Sequence, residues 1–245
     1  MQSTFPRPSQ NRLLATLPAS DWLAINALVE WVELPRGKLL YEAGMGLTHV
    51  YFPTTAVVSL TSTMKDGASA EIAVVGCEGV VGVCAFMGDL RSLSNAVVQG
   101  AGQALRMRAA DLREASRQSA PLMQALLGYT QVLFAQMAQT SACSRHHALD
   151  QQLCRWLLLH LDRLSGNELA VTQERIAQML GVRREGVTVG ALRLQKAGVI
   201  RYARGRIAVL DRAGLEERCC ECYAVVKVAY DRLQQACSPR EVCAA

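Results

Sequence analysis

The sequence predicts an α+β protein in three parts: an N-terminal domain of short strands, one long helix and a C-terminal helix-turn-helix domain. Short β-rich runs alternate with glycine turns between residues 32 and 107. Apolar residues recur at intervals of three and four from residue 111 to residue 147. Two short amphipathic helices and a hairpin are indicated between residues 172 and 210. We therefore expect domains at 1–110, 111–147 and 148–218, followed by a terminal helix and tail at 219–245.

Composition and charge indicate a globular protein with one strongly basic segment. The chain has 245 residues, of which 51% are hydrophobic, enough to bury one or two apolar cores. Its net charge of +5 is mild, but residues 172–212 hold nine basic and only three acidic side chains. Neither a basic start followed by an apolar run nor a membrane-length apolar stretch is found. We expect a cytoplasmic protein without membrane contact.

The N-terminal part predicts two short helices and then a β-domain. Helical spacing of apolar residues extends from Leu13 to Val32, and Asp21 opens the second helix. Glycine-containing turns then separate six β-rich runs. Repeated short strands at this spacing are typical of a sandwich or barrel. The predicted strands are Leu39–Tyr41, Val50–Phe52, Val57–Thr61, Ala70–Val74, Asn95–Val98 and Ala104–Met107.

A long helix is predicted from Asp111 to about His147. About 35 residues of helix would rise roughly 50 Å, which is too long for a small β-domain to cover. An exposed apolar stripe of that length usually meets a copy of itself, so a homodimer is expected. The alternative is that the stripe packs wholly inside one subunit. The stripe consists of Leu122, Leu126, Tyr129, Leu133 and Met137.

Residues 172–196 predict a helix-turn-helix. Thr172 and Glu174 are typical of a helix start, and Gly181 is typical of a helix end that turns sharply. The second helix is expected to begin near Val182 or Arg183, so its first turn carries donors and acceptors suited to base edges. The predicted base-contacting residues are Arg183, Arg184, Glu185, Thr188 and Arg193.

A hairpin is predicted directly after the second helix. Short β-branched runs at Val199–Tyr202 and Ile207–Leu210 enclose the segment Ala203-Arg204-Gly205-Arg206. Such a wing would place cations beside a phosphate backbone. The predicted phosphate contacts are Thr172, Arg201, Arg204 and Arg206.

The nine cysteines are expected to be reduced in a cytosolic chain. Cys219, Cys220 and Cys222 lie in a predicted terminal helix at 214–235 and form a cluster with Cys237 and Cys243, in which Cys219 and Cys222 make a CxxC. No further thiol or histidine stands at a standard ligand spacing. A metal site and simple thiols both remain open there, and simple thiols are favoured. Near Cys143, the adjacent His146 and His147 point to different helix faces, which favours a polar hinge. We therefore predict no metal and no cofactor.

The segment from Thr172 to Glu216 resembles the C-terminal winged-helix module of the cAMP-receptor-protein/FNR (Crp/Fnr) family of bacterial transcription regulators. The match runs through Leu180-Gly181, Arg184-Glu185, Gly198-Val199-Ile200 and Gly205-Arg206-Ile207. The resemblance implies that Arg184 and Glu185 contact bases. Val189 occupies a further base-contacting position where many members have a second arginine, and Gly186 and Gly190 weaken the helix by about 1 kcal/mol each. A different operator from the family's best-known palindrome is expected.

The segment Gly37–Gly44 resembles the cyclic-nucleotide-binding β-roll of the same family, which implies a β-roll for the N-terminal domain and a dimer helix after it. Binding members have a Gly-Glu-Leu turn followed by Arg-Ser-Ala. This chain has Glu78 and Arg91-Ser92, but Glu78 comes a few residues too early, and Leu93 replaces the small residue after Arg-Ser. We expect that cAMP is not the effector, and the pocket holds either another small effector or no ligand. The pocket residues are Glu78, Gly79, Gly82, Arg91 and Ser92. The iron–sulfur cluster of the FNR branch is not expected, because residues 1–76 contain no cysteine.

These features predict a homodimeric transcription regulator that binds a specific duplex DNA sequence. The family resemblance allows RNA polymerase as a further partner, and control by a small effector stays open. An enzyme is not expected, because the sequence has no glycine-rich phosphate loop, no nucleophile elbow and no paired carboxylates for acid–base catalysis. The alternative is a small-molecule or protein-binding module whose helix-turn-helix makes protein contacts.

Overall fold

The computed structural model describes residues 10–88 and 90–237. A 3-10 helix at Leu14–Thr16 and helix α1 (Ala19–Asn26) come first. Seven strands and one short helix then form the N-terminal domain: β1 (Glu30–Leu34), β2 (Leu39–Tyr41), β3 (His49–Pro53), β4 (Val57–Thr63), β5 (Ser69–Val75), α2 (Cys84–Met87), β6 (Asn95–Gly100) and β7 (Gly102–Arg108). All six predicted strands are confirmed.

The strands form two antiparallel sheets, ordered β1-β7-β3 and β2-β6-β4-β5. Buried side chains from both sheets, among them Phe52, Val58 and Leu105, form the core of this domain. The predicted helical segment was wrong beyond Asn26, because Glu30–Leu34 is strand β1 and Trp31 pairs with Leu105 of β7. Pairing with a strand distant in sequence overrides the local helical spacing there.

The predicted long helix is divided into α3 (Ala109–Gln118) and α4 (Ala120–His146). The break lies at Ser119, whose hydroxyl accepts a hydrogen bond from the Leu122 amide at 3.1 Å. Pro121 follows in the first turn of α4, where its missing N–H costs no helical hydrogen bond. Helix α4 has 27 residues and is about 40 Å long.

The apolar stripe predicted as a dimer seam is mostly internal to the subunit. Leu122, Leu126, Tyr129 and Leu133 are fully buried, and Met137 is half-buried against the same core. The apolar side chains that α4 exposes are Leu127 and Phe134, seven residues apart and each 53% exposed. The choice of seam residues is therefore corrected, because α4 carries apolar residues on two sides and spacing alone does not say which side faces outward. The homodimer itself stays a prediction.

The C-terminal part contains α5 (Leu149–Leu161), β8 (Glu168–Ala170), α6 (Gln173–Leu180), α7 (Arg184–Lys196), β9 (Ile200–Ala203), β10 (Arg206–Val209), α8 (Arg212–Glu217) and α9 (Cys222–Cys237). Its three strands form one sheet in the order β8-β10-β9. None of the helices in the described ranges is long and apolar enough to cross a membrane.

The terminal helix predicted at 214–235 is two helices, α8 and α9, joined by residues 218–221. Helix α9 folds back along α4 in the antiparallel direction. Near its start Cys222 accepts a hydrogen bond from Gln139, and near its end Leu233 approaches Gly128 so closely that a Cβ there would lie 3.0 Å from Cδ1. The C-terminal extension therefore packs as an additional helix against α4.

Candidate nucleic-acid interface

Helix α6 begins and ends where its capping residues predict. The Thr172 hydroxyl accepts a hydrogen bond from the Arg175 amide at 3.2 Å, which satisfies one free donor of the first turn. Gly181 ends the helix with φ of 67°, a left-handed conformation that glycine adopts without strain. These two residues position α6 and fix where the next helix starts.

Helix α7 packs its Val187, Ala191 and Leu194 side chains into the domain core. Gly186 and Gly190, predicted only to weaken the helix, have a packing role against the start of α5. A Cβ on Gly186 would lie 2.6 Å from Leu149 Cδ2, and one on Gly190 would lie 2.9 Å from Asp150 Oδ1. A larger residue at either position would force the Leu149 or Asp150 side chain to move.

The first turn of α7 leaves three charged side chains free. Arg183, at the N-cap, and Arg184 and Glu185, in the first turn, are all exposed. Within the described residues, none of the three side chains forms an ion pair or a hydrogen bond with another residue. The end of the helix therefore presents two cations and one carboxylate with no internal partner, as base contacts require.

The other predicted base-contacting residues lie elsewhere on α7. The Thr188 hydroxyl donates a hydrogen bond to Gln173 Oε1 at 2.7 Å and so links α7 to α6. Val189 is exposed. Arg193 forms an ion pair with Asp150 at 2.9 Å. It follows Arg184 by nine residues, about two and a half turns, so it lies on the opposite side of the helix. The structure therefore does not bring Arg193 and Arg184 together.

The wing is a tight hairpin, with Arg204 and Gly205 as its two turn residues. Their φ values of 49° and 72° define a type I′ turn, and Arg204 is the one non-glycine residue with positive φ among those described. The side chains of Arg201, Arg204 and Arg206 are exposed. The Val171 amide donates to the Gly205 carbonyl at 2.8 Å, which holds the wing turn next to Thr172. Of the predicted phosphate contacts, Thr172 therefore lies next to the wing turn that carries Arg204.

The predicted effector pocket is corrected at Glu78 and Gly79. The Glu78 carboxylate accepts hydrogen bonds from Arg163 Nε at 2.6 Å and from the Gly76 amide at 3.1 Å. The Tyr129 ring lies directly on Gly79, where a Cβ would fall 2.1 Å from Cε2. Both residues pack the β-domain against the helices that follow it, and Glu78 lines a cavity that Arg163 and Tyr230 also line.

The remaining pocket residues also lack the expected arrangement. Gly82 has φ of 106° and precedes α2, whose N-cap is Val83 and whose first turn carries no acidic residue. Arg91 is exposed, and the Ser92 hydroxyl donates to the Ser94 carbonyl at 2.6 Å. Burial raises the pKa of Tyr41, whose hydroxyl also interacts with Ser92, so a neutral phenol occupies this region.

The fold brings together one side-chain cluster that the sequence pattern did not predict. The ligand atoms of Cys143, His147, Cys220 and Cys222 all lie within 4.8 Å of one another. The sequence indicates two of these four residues, because Cys143 and His147 are four residues apart and share a helix face. The other two residues depend on the fold, which brings Cys220 and the start of α9 back to the end of α4.

Two models of known protein families match parts of the chain. Residues 31–119 match the family model of the cyclic nucleotide-binding domain, and residues 151–218 match the model of the Crp-like helix-turn-helix domain. No curated protein matches the chain at a significant level.

Solved structures with the same fold come from several bacteria. A protein from Eubacterium rectale, described as a Crp/Fnr-family transcriptional regulator, superposes with a TM-score of 0.68 at 18% identity, covering 85% of this chain and 98% of that one. FixK2 from Bradyrhizobium japonicum has a TM-score of 0.65 at 15% identity, covering 79% and 98%. The c-di-GMP-responsive regulator CLP from Xanthomonas campestris has a TM-score of 0.62 at 15% identity, covering 78% and 99%. At these identities the likeness shows a shared fold.

Proposed function

The chain belongs to the Crp/Fnr family of transcription regulators, and on that premise we propose that it is a homodimer whose α7 helices bind a specific duplex DNA site. The observation that carries the proposal is the start of α7, where Arg183, Arg184 and Glu185 are exposed without ion pairs. Such a regulator acts in the bacterial cytoplasm, and RNA polymerase is a further partner that the family suggests.

Each exposed side chain has a distinct role in this proposal. Arg184 donates two hydrogen bonds to the O6 and N7 atoms of a guanine, and Glu185 accepts from a cytosine N4 amino group. The wing cations Arg201, Arg204 and Arg206, together with Thr172, bind phosphates and contribute affinity without sequence preference. Thr188 and Arg193 position α7 against α6 and α5 through their bonds to Gln173 and Asp150.

Replacing Arg184 by alanine is expected to weaken binding to the preferred site by about 1–3 kcal/mol and to relax the preference at one base pair. Alanine removes the bidentate contact but leaves the helix start intact. The site is first identified by selection of random duplexes with the purified full chain. Affinity for the selected duplex and for its single-base variants is then measured by fluorescence anisotropy.

Arg204→Gly is the matched variant at a phosphate contact, and it is expected to weaken binding to all duplexes about equally. The slope of log affinity against log salt concentration should fall in magnitude by about 1. Glycine suits the positive φ of 49° at this turn position, so the wing should not be destabilised. Equal loss of base preference in the Arg184 and Arg204 variants would contradict the assigned roles. Binding that does not respond to salt would indicate that the helix-turn-helix makes protein contacts instead.

No binding of cAMP at micromolar concentrations is expected. Glu78 is committed to Arg163, Tyr129 covers Gly79, and no carboxylate stands in the first turn of α2 to bind a ribose hydroxyl. Isothermal titration of the full chain with cAMP tests this expectation. A dissociation constant in the micromolar range or tighter would refute it, and another small effector is compatible with either result.

A further inference from the structure

Three thiols and one imidazole meet where the long helix ends. Cys143 lies in the last turn of α4, His147 is its C-cap, Cys220 lies in the junction before α9, and Cys222 is the first residue of α9. The Sγ atoms of Cys143 and Cys220 are 3.6 Å apart, and Cys222 Sγ is 3.4 Å from His147 Nδ1. Every pair among the four ligand atoms lies within 4.8 Å.

These distances suit one tetrahedral metal ion. Zinc binds cysteine sulfur at about 2.3 Å and histidine nitrogen at about 2.0–2.1 Å. In a tetrahedron those bonds put two sulfurs about 3.8 Å apart, and a sulfur and a nitrogen about 3.5 Å apart. The observed separations of 3.6 and 3.4 Å are close to both values. A multi-iron cluster is disfavoured, because its cysteines bind different metal atoms and lie further apart.

Neighbouring residues hold two of the four side chains, His147 and Cys222, in position. His147 directs Nδ1 at Cys222 and its other nitrogen, Nε2, at Glu221 Oε1, 3.3 Å away. A carboxylate on the far nitrogen fixes the tautomer and orientation of metal-binding histidines. Gln139 Nε2 donates to Cys222 Sγ at 3.0 Å, which would help to hold a thiolate.

A buried cation provides a second and independent observation. Three thiolates around a divalent ion carry a net charge of −1, which requires compensation in a buried place. Arg155 is only 5% exposed, and in the part of the chain that the structure describes it has no carboxylate partner and its Nε has no hydrogen-bond partner. Arg155 Nη1 donates to the Thr140 hydroxyl at 3.1 Å, about one turn before Cys143 on α4, so this cation lies near the thiols. An anionic metal centre would provide the missing counter-charge.

We propose that Cys143, His147, Cys220 and Cys222 bind one zinc-class divalent ion, which clamps α9 to the hinge between α4 and α5. Binding replaces the three thiol protons, which pass to solvent, and involves no change of oxidation state. Cys219 is not a ligand, because its Sγ is directed at the Gln151 carbonyl at 4.0 Å. The site does not depend on DNA binding, so it is tested separately from the proposed function.

The test uses the full chain purified with reductant and without chelator. One zinc per chain is expected by elemental analysis. After the zinc is removed, cobalt(II) should give the intense visible bands of a tetrahedral thiolate site and thiolate charge-transfer absorption in the near ultraviolet. Zinc added to the metal-free chain should slow amide exchange across residues 222–237. Unchanged exchange there would overturn the clamp.

Substitutions then assign the ligands, with the neighbouring thiol as control. Cys222→Ser and His147→Gln should each lower zinc affinity more than about 100-fold, whereas Cys219→Ser should leave it unchanged. Glu221→Gln, which alters only the support of His147, should lower it about 10–100-fold. Circular dichroism of each variant checks that it folds. The cobalt(II) spectrum of the wild-type chain tests the site without any substitution. A wild-type chain that retains no metal, gives no cobalt bands or carries a Cys143–Cys220 disulfide under reductant would overturn the proposal.

Discussion

Replacing Glu78 by alanine is expected to lower the free energy of unfolding by about 3–5 kcal/mol, because it leaves the Arg163 guanidinium buried without its counter-charge. The two side chains are 8% and 4% exposed, and Arg163 Nε lies 2.6 Å from Glu78 Oε1. Burial alone would lower the pKa of Arg163, but Glu78, Tyr230 and Tyr129 together more than offset that effect, with Glu78 contributing most, and the net pKa is raised. The Glu78 carboxylate therefore stabilises the charged form of Arg163 in this buried position.

The contacts around Arg163 show why the loss would affect the whole chain. Arg163 also donates to the Leu159 carbonyl at 2.7 Å and to Gln136 Oε1 at 3.2 Å, and it stacks on Tyr230 with 5.0 Å to the ring centroid. The β-domain, α4 and α9 thus meet at one guanidinium. Without Glu78, either this cation is left unpaired or the three elements separate.

Urea unfolding of the full chain measures the effect, and an exposed ion pair provides the matched control. Glu30→Ala breaks a pair with Arg106 that is 2.6 Å long but solvent-accessible, so it should cost less than about 1 kcal/mol. The double variant Glu78→Ala with Arg163→Met should recover part of the loss, because no charge is then left unpaired. A cost for Glu78→Ala as small as that for Glu30→Ala would contradict this account.

Features set by local sequence were predictable. Glycine turns separate the strands of the β-domain, and the limits of α6 follow from the Thr172 hydroxyl and the left-handed Gly181. The boundary at Ser119 was missed although a capping serine and Pro121 indicate a helix start there. The apolar spacing continues across both helices and hides the break.

Features set by distant contacts could not be predicted. Strand β1 exists because it pairs with β7, which lies about 70 residues later in the chain. Cys143 and Cys220 meet only because residues after the wing return to the end of α4. The β-domain covers the Tyr129 side of the long helix, where the Tyr129 ring lies on Gly79, which is why the predicted seam residues are internal. Predicting the site residues therefore required a prediction of where both the β-domain and the C-terminal extension pack.

Replacing Leu127 and Phe134 together by aspartate is expected to convert a dimer into monomers and to weaken binding to a two-half-site operator by about 10²–10⁴-fold. Both are exposed apolar residues on one face of α4, seven residues apart, as in a helix seam. A dimer holds its second α7 near the second half-site once the first is bound, and a monomer loses that effective concentration. Sedimentation velocity of the full chain reports the mass, and fluorescence anisotropy reports the affinity.

Two controls separate loss of the seam from loss of the fold. The substituted side chains are exposed in the subunit, so the unfolding midpoint of the variant should fall only by the contribution of dimerisation. Leu93→Asp introduces the same charge at a more exposed apolar residue of the β-domain and should leave mass and affinity unchanged. A wild-type chain that sediments as a monomer at micromolar concentration would overturn the dimer, and a variant that stays dimeric would move the seam to another face. Because an α7 helix spans only one half-site, strong binding to a palindrome without a dimer would need contacts that this subunit does not present.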